Sequence, residues 1–204
     1  MLTSLYGPVP DADVLPYEFT NLADTVTRYN TELQALVRQR QNEIRETNRQ
    51  IDDGIFEAVR DPKEPTVVPA KEDVPPALNF APLDNATGAL TRAADRYKKA
   101  LDAARPKLAT AAEAVAAVNQ RLLQSERVLT DPAGLPGRPW YKHLLYAPGT
   151  HTGYGVKTMP GVREGIEQGR YAEAEREIAR VASALMREVE LLDQAASELE
   201  SAAR

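Results

Sequence analysis

Both histidines of this chain, its only tryptophan and three of its eight tyrosines fall in one stretch, Asp131 to Gly161, DPAGLPGRPWYKHLLYAPGTHTGYGVKTMPG. Imidazole moves protons near neutral pH and is the commonest metal ligand, so His143 and His151 are the first candidates for chemistry. They have two readings: a metal pair, or groups that fix the loop by hydrogen bonding. The second is the simpler, because no Asp or Glu lies between Asp131 and Glu164 to complete a ligand set. A hydrolytic two-zinc centre needs about five ligands at fixed geometry. A chain with two histidines and no HExxH motif is not expected to build one. With no cysteine there is neither a thiol nucleophile nor a disulfide framework.

The same stretch holds five prolines and six glycines, a composition that sets one irregular backbone path. Trp140, Tyr141 and Tyr146 are expected to anchor it, the first two in a core. Asp131 and Arg138 are placed to pair across a turn, a contact worth about 0–1 kcal/mol if exposed and chiefly fixing geometry if buried. Loops held on a rigid scaffold are where binding residues collect.

Four helical stretches must hold this loop, each with apolar residues recurring every three to four positions. The first carries Leu22, Val26, Tyr29, Leu33 and Leu36, with Thr20 or Asn21 as N-cap, and extends as a nearly polar helix past Arg38 to Asp52-Asp53-Gly54. From Val59 to Pro82 there follows an arm with six of the fifteen prolines, too dense in proline for a helix or a central strand. Val67, Val68, Leu78 and Phe80 suit an arm that packs against something. The second helix opens near Asp84-Asn85, shows Leu90, Ala94, Tyr97 and Leu101, and breaks at Pro106. Asn85 also heads an Asn-Ala-Thr sequon, though the cap role is the stronger reading. The third helix runs from Leu108 to Leu129 and is rich in alanine, which permits close helix approach. The fourth is the cleanest: Ile178, Val181, Leu185, Val189, Leu192, Ala196 and Leu199, with Glu173, Glu175, Arg176, Glu177 and Arg180 read as a solvated face. No segment alternates as a strand does. The fold class is all-α: a four-helix bundle with a long Pro-rich arm after helix one and a long ordered loop between helices three and four.

At 204 residues, with 43% hydrophobic and 27% charged residues, the chain is large enough to bury a real core. Net charge is −5 with both signs interleaved, so no basic face tracks a phosphate backbone and no nucleic acid is expected as partner. No apolar run approaches the roughly 20 residues that span a bilayer, and MLTSLYGPVPDADV lacks the basic start and apolar core of a signal peptide. The compartment stays open.

The order and spacing of Asp131, Pro132, Gly134, Leu135, Pro136, Arg138, Pro139, Tyr141, His143, Tyr146, Ala147, Pro148, His151, Tyr154, Pro160 and Gly161 closely resemble the last inter-helix loop of the glutamate carboxypeptidase II family. Asp13 to Tyr17, DVLPY, is similar to that family's lead into its first long helix. The resemblance therefore covers residues 11–204, and residues 1–10 stand apart as an unmatched, extraneous segment. It implies a transferrin-receptor-like helical dimerisation domain whose partners are a second copy of itself and the protease domain of a parent peptidase. The cofactors, two zinc ions, would belong to that protease domain and none to this chain. For such a parent the resemblance implies a secreted, periplasmic or membrane-anchored protein, and the compartment of this chain is not implied.

The resemblance further implies that Tyr154 contacts a substrate carboxylate when a protease domain is present; a surface tyrosine packing its own loop is the other reading. At the neighbouring position the family's lysine, which pairs with a glutamate side chain, is replaced by Gly153, so a parent's preference for glutamate is not implied. Without a protease domain over the bundle's end, Leu144, Leu145 and Met159 are expected to lie exposed. Two functions remain: a non-catalytic homodimerisation domain whose loop 131–161 contributes to a protease pocket, or a free-standing helical binding protein that uses the same loop as a ligand site.

Overall fold

The computed structural model describes residues 14–58, 68–150, 153 and 155–204. The unmatched segment 1–10, the start of the arm including Val67, and both His151 and Tyr154 lie outside the described residues. Among the described residues the fold is all-α apart from one small hairpin. Helix α1 spans Phe19–Asp52, α2 Ile55–Ala58 and α3 Ala81–Ala104. A 3₁₀ turn, Arg105–Thr110, leads to α4, Ala112–Leu122, and α5, Ser125–Val128. Strands β1, Tyr146–Pro148, and β2, Val156–Thr158, pair antiparallel, and α6, Pro160–Glu167, and α7, Tyr171–Ala202, complete the chain.

Helices α3 and α7 form the central pair, with α1 against α3 and with α4 and α6 against α7. The pair runs parallel, as cross-links along its length require. Asn79 N–H donates to Glu175 near one end, Arg96 meets Asp193 and Glu200, and Lys107 reaches the carbonyl of Ala203 at the other. Parallel neighbours need a long return, which α4 and the loop supply. Leu83, Leu90 and Tyr97 of α3 and Ile178, Leu185, Leu192 and Leu199 of α7 are fully or almost fully buried between them. Phe19 meets the edge of the Tyr97 ring at 5.2 Å and 89°, a favoured aromatic geometry.

Several sequence expectations shift. Helix α1 begins at Phe19 behind Glu18, ahead of Thr20 and Asn21. Its buried stripe is Phe19, Ala23, Val26, Leu33 and Val37, with Leu22, Tyr29 and Leu36 at the margin. Asn30 supplies the reason, since it is buried and its Nδ2 donates to Asp84 Oδ1 at 2.6 Å, rotating the helix toward α3. Asp84 is thus taken up by α1, and α3 starts earlier, at Ala81 with Pro82 in its first turn, so Asn85 is no N-cap.

The polar half of α1 does not project alone. The arm returns along it: Asn48 and Glu72 exchange side-chain-to-backbone bonds at 2.8 and 3.1 Å, and Gln41 donates to the Pro75 carbonyl at 3.0 Å. Prolines leave carbonyls without sheet partners, and glutamine and asparagine supply them. The third helix is not continuous. Pro106 lacks a donor and tightens the chain into the 3₁₀ turn. Of α4 only Val118 and Leu122 are buried, too little to carry a single long helix. Glu177 and Glu188, on the α7 face read as solvated or unremarked, are buried.

Candidate functional site

The loop between α5 and α6 is laid down as stacked turns. Thr130 bridges His143, Asp131 N–H donates to the Lys142 carbonyl at 2.9 Å, and Leu144 N–H donates to the Leu129 carbonyl at 3.1 Å. Inside this frame Leu135 N–H bonds the Tyr141 carbonyl at 2.9 Å. Gly134 makes the turn possible: at φ +69° a β-carbon would stand 2.3 Å from the Pro139 carbonyl oxygen. The chain then enters the β1–β2 hairpin and reaches α6 through Met159, a buried non-glycine residue at φ 44°. Its N–H donates to the Leu145 carbonyl at 2.7 Å, which holds it in the left-handed region.

Three charged contacts fasten the loop. Arg138 pairs with Glu164 of α6, not with Asp131, at 2.8 Å, and both side chains are less than a tenth exposed. Arg138 also donates to the Pro148 carbonyl, while Glu164 accepts from Thr150 N–H and Thr150 Oγ1, each at 2.9 Å. Its guanidinium lies 5.3 Å from the Tyr141 ring. Asp131 pairs with Arg180 of α7 at 3.1 Å. Burial raises the Asp131 carboxyl, but the Ala133 N–H and Arg180 outweigh it and hold it below the usual range. Arg180 also meets Glu177 at 2.7 Å and the Gly134 carbonyl at 2.9 Å. Burial nevertheless keeps the Glu177 carboxyl above its ordinary value, against the pull of Arg180.

The third contact sits on α5. Tyr146 OH donates to Glu126 Oε2 at 2.8 Å, and His143 Nε2 stands 3.2 Å from the same oxygen with its ring stacked on Tyr146 at 3.9 Å. Leu145 N–H donates to His143 Nδ1 at 3.2 Å, so the neutral ring carries its proton on Nε2, toward Glu126. Burial lowers the His143 pKa against the attraction of Glu126, and burial with the Glu126 charge pushes the Tyr146 hydroxyl up to about 12. Beside it Ser125 Oγ donates to Glu188 at 2.7 Å. Glu188 is fully buried, and burial pushes its carboxyl up to about 7.

The loop residues named from sequence therefore separate. Asp131, Arg138, His143 and Tyr146 make the contacts described through partners on α5, α6 and α7, and Tyr141 meets Arg138 within the loop. Trp140 is 68% exposed, with its ring tilted against that of Tyr141, so it is no core anchor. Leu144, Leu145 and Met159 are buried rather than exposed, because the loop closes its own apolar face against α7 and α6. Gly153 is exposed at φ +59°, with open space around it. Glu164 and Glu126 were not legible as loop partners, nor Glu177 and Glu188 as buried carboxylates. One signal existed: Gly161 and Gly165 stand four apart, and a β-carbon at either would collide with Glu177 or Ala174 of α7. Among the described residues no group of three or more His, Asp or Glu side chains is placed to hold a metal ion. No described helix is long and apolar enough to cross a membrane.

The pattern of the transferrin receptor-like dimerisation domain matches residues 78–193, from the end of the arm to well within α7. This chain belongs to that family. A probable glutamate carboxypeptidase of Arabidopsis thaliana is 49% identical over 53 residues, which is 26% of this chain and 8% of that protein. A probable glutamate carboxypeptidase of Arthroderma benhamiae is 42% identical over 59 residues, 29% of this chain and 8% of that protein. An inactive zinc metalloprotease of Schizosaccharomyces pombe is 38% identical over 69 residues, 34% of this chain and 9% of that protein. The matched stretch is thus a small part of each relative's length. A transferrin receptor-like dimerisation domain is a self-association module, and the parallel α3–α7 pair is its scaffold here.

Proposed function

We propose that this chain is the non-catalytic homodimerisation domain of a glutamate-carboxypeptidase-like zinc peptidase, with loop 131–161 contributing to the substrate pocket of a protease domain. The observation that carries the reading is the loop itself. An irregular segment is tied to three helices by Arg138–Glu164, Asp131–Arg180 and Tyr146–Glu126, and these ties fix the paired strands β1 and β2 on a rigid base. Preorganisation of this kind suits a loop that must meet a separate domain in one geometry. The family match and the relatives named as glutamate carboxypeptidases support the same reading.

On this reading the zinc chemistry belongs to the protease domain, and this chain supplies association and loop placement alone. The direct test is light scattering of the purified chain over a dilution series, together with dipeptide hydrolysis in the presence of zinc. A dimer that persists on dilution, without turnover, is expected. Chelator-sensitive turnover would sink the non-catalytic assignment, and a monomer with a ligand lost on Tyr154→Ala would favour a free-standing binding protein.

A further inference from the structure

Among the described residues, a carboxyl group without a cation lies beneath the seat of the loop. Glu188 of α7 is fully buried; Ser125 Oγ donates to its Oε1 at 2.7 Å, and its Oε2 has no hydrogen-bond partner. The charged groups of the surrounding elements are engaged elsewhere. Arg187, next to it on α7, donates to the Val128 and Thr130 carbonyls at 3.0 and 2.9 Å. Arg121 of α4 is held by Glu198 and Gln194, and Arg96 of α3 by Asp193 and Glu200. Arg127 of α5 meets Gln124, and Arg163 of α6 meets Glu32 and Thr158. The charge that acts on Glu188 is that of Glu126, which has the same sign. An ionised carboxylate here is uncompensated, so the site favours the protonated form.

The path from Glu188 to the loop is short. Ser125 is the buried residue of α5, a helix of four residues. The next residue, Glu126, accepts from the Tyr146 hydroxyl at 2.8 Å and stands 3.2 Å from His143 Nε2. One turn of helix therefore carries the Glu188 bond on one side and the anchorage of β1 on the other. A single turn has few internal hydrogen bonds to resist being lifted, whereas α7 is 32 residues long and buried along its length. Charge on Glu188 is thus relieved at α5, where a local opening lets water reach the carboxylate.

We propose that Glu188 is a proton-operated latch for the loop: protonated, it keeps α5 seated and β1 anchored through Glu126; ionised, it releases both. The release runs with rising pH. Burial holds the Glu188 carboxyl up at about 7, and opening α5 to water returns it toward 4.5, so the opened state is favoured as the proton leaves. His143 slopes the other way, because burial lowers its pKa and its protonation on acidification therefore favours opening. Tyr146, at about 12, keeps its proton throughout. For a loop that meets a protease domain, the reading proposed above, the latch makes that contact pH-dependent; the latch itself is a property of this chain alone.

Amide hydrogen exchange tests the latch, read as protection factors so that the intrinsic pH dependence of exchange drops out. Leu144 N–H, bonded to the Leu129 carbonyl, and Met159 N–H, bonded to that of Leu145, report the loop's seat. Leu90 and Leu192 report the centres of α3 and α7. From about pH 5.5 to about pH 8 the ratio of wild-type to Glu188→Gln protection at the loop is expected to fall about tenfold or more. No comparable fall is expected at Leu90 and Leu192. Taking the ratio removes the contribution of His143, which both proteins share. Should Glu188→Gln fail to fold, Glu188→Met, uncharged and of similar length, takes its place. A loop ratio that does not change with pH overturns the latch. So does a fall of equal size at Leu90 and Leu192, which would make Glu188 a determinant of global stability only. Light scattering and turnover, which test the dimerisation reading, are separate measurements, so the two can fail independently.

Discussion

Arg138 and Glu164 meet at 2.8 Å with the side chains 8% and 7% exposed, and around them are gathered the Pro148 carbonyl, Thr150 and the Tyr141 ring. One arginine and one carboxylate thereby join the first half of the loop, the hairpin and α6. Breaking a buried pair by removing one charge costs about 3–5 kcal/mol, because the other charge is left uncompensated. Glu164→Gln is expected to lower stability by an amount of that order. The double change Arg138→Met with Glu164→Gln, which removes both charges, should recover part of the loss. Urea unfolding of the two variants checks this, and an unchanged midpoint for Glu164→Gln would show that the pair does not hold the loop.

Glu188 is expected to make the domain's stability fall with rising pH. Its carboxyl is buried with one bond, from Ser125, and with the Glu126 charge nearby, and burial raises its folded pKa from 4.5 to about 7. The folded state then binds more protons than the unfolded chain between these values. The contribution is fully present below pH 4.5 and is lost as pH climbs through about 7, an amount up to about 3 kcal/mol. Glu177, also raised by burial, slopes the same way, so the informative quantity is the difference between proteins. Glu188→Gln keeps an oxygen for Ser125 and cannot ionise. Its stability measured at pH 5, 6.5 and 8 should decline less steeply than that of the parent chain; parallel curves would remove Glu188 as the cause.

Gly134 and Gly137 share the left-handed conformation, at φ +69° and +68°, but not the same surroundings. A β-carbon at Gly134 meets the Pro139 carbonyl oxygen at 2.3 Å, whereas at Gly137 nothing lies within 4 Å. Gly137→Ala is expected to cost about 1 kcal/mol from backbone strain alone. Gly134→Ala must also move the loop backbone and should cost at least twice as much, with the Trp140 fluorescence shifting as its neighbour moves. Equal thermal midpoints for the two variants would contradict the packing argument.

Periodicity made the long helices of this protein readable. The apolar repeats of α3 and α7 predict their buried faces, because a helix of that length has only one way to hide such a stripe. The proline and glycine content of 131–161 likewise announces an irregular loop, and the spacing of its residues carries the family resemblance. What sequence did not carry was the choice of partner for each charge. Arg138 has Asp131 seven residues away and takes Glu164, twenty-six away, because the turn at Gly134 and Gly137 points it toward α6. Trp140 turns out to solvent and Leu144 turns in, since in an irregular segment no repeat ties position to face. The break of the third helix and the return of the arm along α1 depend on which surfaces the central pair leaves open. Local propensity and pattern therefore decided which residues form helices and which form the loop. Tertiary packing alone decided which carboxylates are buried and which groups fasten the loop.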